Sequence, residues 1–183
     1  MFTTHNALRD MAERANDTAA AKLHDTMANT IRQNFFDEGI GLWMADRGCP
    51  AAWREEAGLR RLRPDAWSYS VFLPIDAGLI TGLQAVQSLF YTEWGLERIR
   101  NSSYPGERHW TSNWVPSIWS TREFWPGDNY ALALAYFQSG LPDDGFKLLQ
   151  GNMHHDMFHY MIPGGLGAHN GGTDFNGERR HPL

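Results

Sequence analysis

Trp114-Val-Pro-Ser-Ile-Trp-Ser-Thr-Arg-Glu-Phe-Trp-Pro-Gly-Asp-Asn-Tyr130 sets three Trp, one Phe and one Tyr beside an Arg-Glu pair and an Asp-Asn pair. It runs straight into the helical pattern Tyr130-Ala-Leu-Ala-Leu-Ala-Tyr-Phe-Gln-Ser139. Pro126 stands where a first helical turn tolerates proline, Asp128 lies near the positive end of that helix, and Gly140 closes it. Flat aromatic faces beside carboxylates and amides match a ligand with apolar ring faces and many hydroxyls, which describes a sugar. Trp110, Trp114, Trp119 and Trp125 are therefore candidates for stacking on sugar rings, with core packing the competing reading for each. Arg122, Asp128, Asn129 and His169 are the candidate polar contacts, and Asp128 as an ordinary helix-start carboxylate is the plainer alternative.

Outward from this stretch the pattern is helical. Leu8, Met11, Ala12 and Ala15 fall at helical spacing over residues 5–15, and Asp17 or Thr18 caps a second helix with Leu23, Met27, Thr30, Ile31 and Phe35 in one stripe. So short a link folds the two into an antiparallel hairpin. Residues 36–45 read as a turn and one short strand, and 46–66 as an irregular loop. Residues 69–78 lead into a helix over about 82–93, with Thr81 as its cap and Leu83, Val86, Leu89 and Phe90 inward. From Gly95 to Phe124 no period is visible, and a loop that long is more often functional than filler. Leu141-Pro-Asp-Asp restarts a helix carrying Phe146, Leu149, Met153 and Met157, making a further hairpin. The tail over 163–183 is glycine-rich and irregular. The fold expected is mainly α, antiparallel helical hairpins with a few short strands and long aromatic-rich loops, in a single domain spanning 1–183.

Composition narrows the classes. A formal net charge of −5 without a Lys/Arg block argues against nucleic acid or an anionic membrane as the main partner. A lone cysteine, Cys49, excludes an internal disulfide framework. With neither a signal-peptide pattern nor an apolar run near ~18 residues, a cytoplasmic protein is expected. Eight Trp are the outlying feature, and Trp gathers where its ring is buried and its indole nitrogen finds a partner.

Two segments together resemble a known superfamily. Ala15-Asn-Asp-Thr-Ala-Ala-Ala-Lys-Leu-His24 followed by Phe35-Phe-Asp-Glu-Gly-Ile-Gly-Leu-Trp43 is similar to the helical hairpin and strand turn of six-hairpin (α/α)-barrel glycosidases, which include trehalase-like, glucosidase-like and rhamnosidase-like enzymes. Trp125-Pro-Gly-Asp-Asn-Tyr-Ala-Leu-Ala-Leu134 resembles their Trp-Pro-x-x-Asn-Tyr helix start, and Tyr69-Ser-Val-Phe-Leu-Pro-Ile-Asp-Ala-Gly-Leu79 a segment that opens one of their hairpins. The similarity spans roughly residues 5–160 and implies a partial (α/α) barrel, the C-terminal half, with about three of six hairpins. In the family one catalytic carboxylate comes from an upstream hairpin, which has no counterpart here. The other comes from a loop after the last helix pair, where this chain has Gly171-Gly-Thr-Asp174-Phe-Asn in place of the familiar Glu-Tyr.

Glycoside hydrolysis uses two carboxyl groups flanking the bond, about 5 to 10 Å apart. Glu123 and Asp174 are the expected catalytic pair, Asp128 is a further candidate, and Asp76 and Glu107 stand behind them. Glu123 beside Arg122 and Asp128 at a helix start are both expected to stay ionised. Such a chain would be carbohydrate-active, hydrolysing glycosidic bonds if its site is completed by oligomerisation. An open half-barrel exposes apolar helix faces, so a homodimer is the expected route. The alternative is a non-catalytic carbohydrate-binding remnant. A weaker alternative is a small zinc hydrolase using His155, His159 and His169, since His155 and His159 share one helix face. No cofactor and no metal is implied by the favoured reading.

Overall fold

The computed structural model describes residues 1–100, 105–112 and 125–154. Among these the chain is mainly helical, with six α-helices and a few very short strands. Helices α1 (Phe2–Arg14) and α2 (Thr18–Phe36) form the expected hairpin, and Asp17 caps α2 by accepting the Ala20 N–H at 3.0 Å. The seam is made of small and polar groups. Ala12 and Ala28 are the buried residues, His5 and His24 meet with their Nδ1 atoms 3.1 Å apart, and Arg9 reaches Asp25 at 3.4 Å. Leu23 and Met27 of the predicted stripe stay exposed, and only its far end turns inward, where Phe35 and Phe36 pack on the core.

The segment 46–66, expected to be irregular, folds into two-residue ladders. β1 (Trp43–Met44) pairs antiparallel with β2 (Cys49–Pro50), and β3 (Trp53–Arg54) with β4 (Leu62–Arg63). Ladders this short leave no periodicity to read. Arg54 fastens them, donating from Nε and Nη2 to the Gly41 carbonyl at 3.0 and 2.7 Å and from Nη1 to the Arg60 carbonyl at 3.1 Å.

Residues 69–78 do not merely lead towards a helix. They lie largely within one, α3 (Ser68–Asp76), with Pro74 inside it. Helix α4 (Gly82–Gly95) starts after Thr81, whose side chain makes no capping bond. The inward face of α4 is Ala85, Ser88, Leu89 and Thr92, while Leu83 and Phe90 are exposed, against expectation. β5 (Arg98–Arg100) and β6 (Glu107–His109) pair antiparallel inside what reads as loop, with Arg98 opposite His109 and Arg100 opposite Glu107. Helix α5 (Pro126–Gln138) begins with Pro126 in its first turn and ends at Ser139, and Gly140 follows at φ +77°. Helix α6 (Pro142–Met153) completes the second hairpin. The main core joins α3, α4, α5 and α6 through Val71, Ile75, Ile80, Leu89, Leu132, Tyr136 and Leu148. No helix among the described residues is long and apolar enough to cross a membrane.

Candidate functional site

Helices α3 and α5 run side by side in the same direction. Ser68 Oγ meets Asp128 Oδ2 at 3.5 Å where both helices begin, and Gln138 Nε2 donates to Asp76 Oδ1 at 3.2 Å where both end. Two N-terminal helix ends therefore converge on one spot. The strand β6 and its continuation lie across it. The Ser68 N–H donates to the Thr111 carbonyl at 2.9 Å, and Trp67 bridges antiparallel to Ser112. Asn129 clamps β6 from α5: its Oδ1 accepts the His109 N–H at 2.8 Å, and its Nδ2 donates to the His109 carbonyl at 2.9 Å and to the Trp125 carbonyl at 3.1 Å. From behind, α6 fixes the hairpin by direct backbone contact. A Cβ on Gly151 would lie 2.4 Å from the Glu107 carbonyl oxygen, and one on Gly106 would lie 2.3 Å from the Gly151 nitrogen. Glycine at both places is what lets the strand rest on the helix.

Asp128, 6% exposed, is the carboxyl at the convergence. Burial pushes it up to about 6, against the opposing effect of the hydroxyls of Tyr69, Thr111 and Ser68, which favour its charged form. Withdrawal from water outweighs the hydroxyls and the helix end in setting this value, so Asp128 is ionised at neutral pH, as expected of a helix start, but takes up its proton well above the usual aspartate range. Tyr69 is pushed up to about 12 by burial and by the neighbouring Asp128. A carboxyl that holds its proton to about pH 6 is nearer to a general acid at neutral pH than an ordinary aspartate is.

Glu107 behaves oppositely. It is 6% exposed, with Arg100 Nε at 3.0 Å, Arg98 Nη1 at 3.4 Å and His109 Nε2 at 3.9 Å. The close approach of His109, reinforced by the two arginines and opposed by burial, holds it down to about 2. Arg98 also reaches Glu93 at 2.6 Å, and Glu93 accepts from the Tyr136 hydroxyl at 3.0 Å. Glu107 is thus an ionised tie within the β5–β6 pair, and it is Arg98 that connects the pair to the core through Glu93 and Tyr136. Buried imidazole and amide atoms stand close by: His109 Nδ1 and Asn152 Oδ1 have no hydrogen-bond partner among the described residues, while Asn152 Nδ2 donates to the Pro126 carbonyl at 3.0 Å.

Of the residues singled out in the sequence, Trp110, Trp125, Asp128 and Asn129 are brought to this junction. Trp110 is 6% exposed, the packing alternative for that ring, while Trp125 is half-buried and sits at the N-cap of α5. Both ends of the Asn129 amide are committed to backbone, so it serves as a clamp and not as a sugar contact. Asp76 lies at the opposite end of α3, remote from the convergence. Glu123, Asp174, Trp114, Trp119, Arg122 and His169 lie outside the described residues, as do His155 and His159. Among the described residues no group of three His, Cys, Asp or Glu is placed to hold a metal ion. Cys49 is fully buried and pushed up to about 12 chiefly by that burial, which makes it inert. Ser68, Tyr69, His109 and Thr111 are the site residues that sequence reasoning passed over. The alternation Glu107-Arg-His109-Trp-Thr111 is a strand signal that puts the first, third and fifth on one face. No protein-family model matches the chain, and no curated protein matches it.

Proposed function

We propose that the chain is part of a carbohydrate-active (α/α) toroid related to the six-hairpin glycosidases, and that Asp128 is the acid of its site. The carrying observation is the convergence of the α3 and α5 N-termini on a buried carboxyl that holds its proton to about pH 6. In glycoside hydrolysis such a group protonates the departing glycosidic oxygen as its bond to the sugar breaks. A second carboxylate either receives the sugar or takes a proton from the attacking water, so the elements of one water end on the two products. Glu123 or Asp174, from this chain or from a second copy, is assigned that second role. Exposed apolar residues on the outer faces, such as Leu83 and Trp94 on α4 and Phe146 on α6, support assembly into a fuller ring.

The second reading is binding without turnover. Among the described residues the groups that set the ionisation of Asp128 are hydroxyls alone, with no partner carboxylate. One experiment separates the two: a glycoside panel assayed on protein whose mass is measured by light scattering, with Asp128→Asn alongside. Hydrolysis is expected only in the assembled form, and Asp128→Asn should lower kcat by ~10²- to 10⁴-fold. Turnover that survives the substitution removes Asp128 from the chemistry. Sugar-dependent tryptophan fluorescence without turnover selects the binding reading.

A further inference from the structure

We infer that His5 and His24 form a two-histidine site for a divalent transition cation of the zinc, nickel and copper class, which clamps α1 to α2. The inference is independent of the carbohydrate reading and concerns a different part of the chain. What carries it is the approach of two ligand nitrogens from separate helices. The Nδ1 atoms are 3.1 Å apart, with ring centroids 5.3 Å apart and planes inclined at 36°. Two imidazoles bound to one tetrahedral zinc at about 2.0–2.1 Å hold their nitrogens roughly 3.3 Å apart, and their centroids about 5.2 Å apart once the ring radius is added. Without a cation, one Nδ1–H donates to the other Nδ1, so a single proton lies between two lone pairs. Exchanging that proton for a cation takes a parting of about 0.2 Å and a turn of each ring about χ2.

The seam holds the pair in register. Ala12 and Ala28, both buried, let the helices approach, and the Asp17 cap fixes the start of α2. Both imidazoles are half-buried, so a hydrated ion reaches them from solvent. Neither ring has another hydrogen-bond partner among the described residues. The charged groups within four residues of the pair are the Met1 ammonium, Arg9, Lys22 and Asp25. Asp25 is engaged: its Oδ1 lies 3.4 Å from Arg9 Nη1, and its Oδ2 accepts from Asn29 Nδ2 at 3.1 Å. Arg9 also bonds Asp10 at 2.9 Å. Among the described residues no third His, Cys, Asp or Glu joins the pair, so water completes the shell. The Met1 ammonium and Arg9 oppose a dication, which sets the affinity below that of a closed structural zinc site. Imidazole selects zinc, nickel and copper, whereas magnesium and calcium require oxygen ligands.

The test is calorimetric titration of the whole chain with zinc, nickel and magnesium chlorides at about pH 7.5, where free imidazole is neutral. It is repeated on His5→Gln, on His24→Gln, and on a double variant, His155→Gln with His159→Gln, which silences the other closely spaced histidines. The whole chain and the double variant should each bind zinc and nickel at this site, and magnesium should not bind. Removing a residue that only orients a metal ligand costs about 10- to 100-fold, so each hairpin substitution should weaken zinc at least about tenfold. Circular dichroism checks that the variants keep their helices. Histidine ring NMR reads the same site with no substitution: zinc should shift the Nδ1 resonances of His5 and His24. Zinc should also slow amide exchange in α1 of the whole chain and leave it unchanged in both hairpin variants. Affinity unchanged in His5→Gln and His24→Gln, or lost only in the double variant, places the ion elsewhere and overturns the assignment. Failure of zinc to bind the whole chain, or to move the two ring resonances, overturns it as well. Magnesium bound as tightly as zinc overturns the imidazole ligand set, and α1 exchange that zinc does not slow overturns the clamp.

Discussion

The α1–α2 hairpin and the body built from α3, α5, α6 and the β5–β6 pair are held together by different means. The hairpin closes on two alanines, a pair of imidazoles and an Arg–Asp contact, and leaves Met11, Leu23 and Met27 exposed. The body buries leucines, a tyrosine and a set of polar groups whose partners are far away in sequence, as in Asn129 with His109 and Tyr136 with Glu93. The contrast teaches where specificity resides. A local hairpin needs only helix propensity, a cap and small residues at its seam. A buried carboxyl can be placed only where several distant segments are fixed against one another, and that fixing is concentrated at two glycines and one asparagine.

The contrast is broken most sharply at Gly151. Its α-carbon faces the Glu107 backbone so closely that Gly151→Val should cost about 3 kcal/mol or more in urea unfolding and detach the β5–β6 pair from α6. A cost below about 1 kcal/mol would mean that the close approach is not what positions the strand.

Asp128→Asn sharpens the electrostatic half of the comparison. Because burial raises the folded-state value of Asp128 above its unfolded one, the folded protein binds more protons than the unfolded chain between about pH 4 and 6. Stability is thus favoured at the acid end of that window and falls as pH rises through about 6. Asp128→Asn should remove this fall and raise stability at pH 7 by roughly 2 kcal/mol. Glu107 has the opposite sign. Its value is lowered to about 2, so its contribution is complete above the ordinary glutamate range and is lost as pH drops towards 2. Denaturant midpoints measured from pH 3 to 8 for both proteins read the two windows separately. A wild-type midpoint that does not fall between pH 4 and 6 would refute the Asp128 assignment.

The smallest effect is expected in the hairpin. Leu23→Gln replaces a side chain that is 55% exposed and should change stability by less than about 0.5 kcal/mol. A loss several times larger, appearing together with a change in mass by light scattering, would show that the exposed stripe is covered in an assembled state.

The hairpin was readable because its signals are local: Asp17 before a helical stripe, and no proline within either helix. The α5–α6 hairpin was readable for the same reason, from Pro126 and Gly140. Helix α3 was not, because Pro74 within it and the β-branched and aromatic residues of Tyr-Ser-Val-Phe-Leu weaken the helical signal, and its helical state is decided by burial of Val71, Phe72 and Ile75. The strand pair was not, because three-residue ladders carry almost no period and Gly106 and Gly151 meet only in the fold. At the candidate site, Asp128 and Asn129 were visible as chemistry but not as roles. Burial lifts the value of the first above the ordinary aspartate range, and the partner of the second lies 20 residues upstream.

The Asn129 clamp also bears on how this protein behaves at high concentration. Trp110 N–H bonds to the Glu97 carbonyl, so the intervening pair Arg98–His109 turns the His109 N–H and carbonyl away from β5, towards the outer edge of the two-stranded sheet. An unpaired strand edge is a template on which another chain can add. The side-chain amide of Asn129 has the donor and acceptor of a peptide unit, and it occupies that edge as a one-residue substitute for a third strand. A helix thereby closes the β6 edge of the sheet at His109 to strand addition.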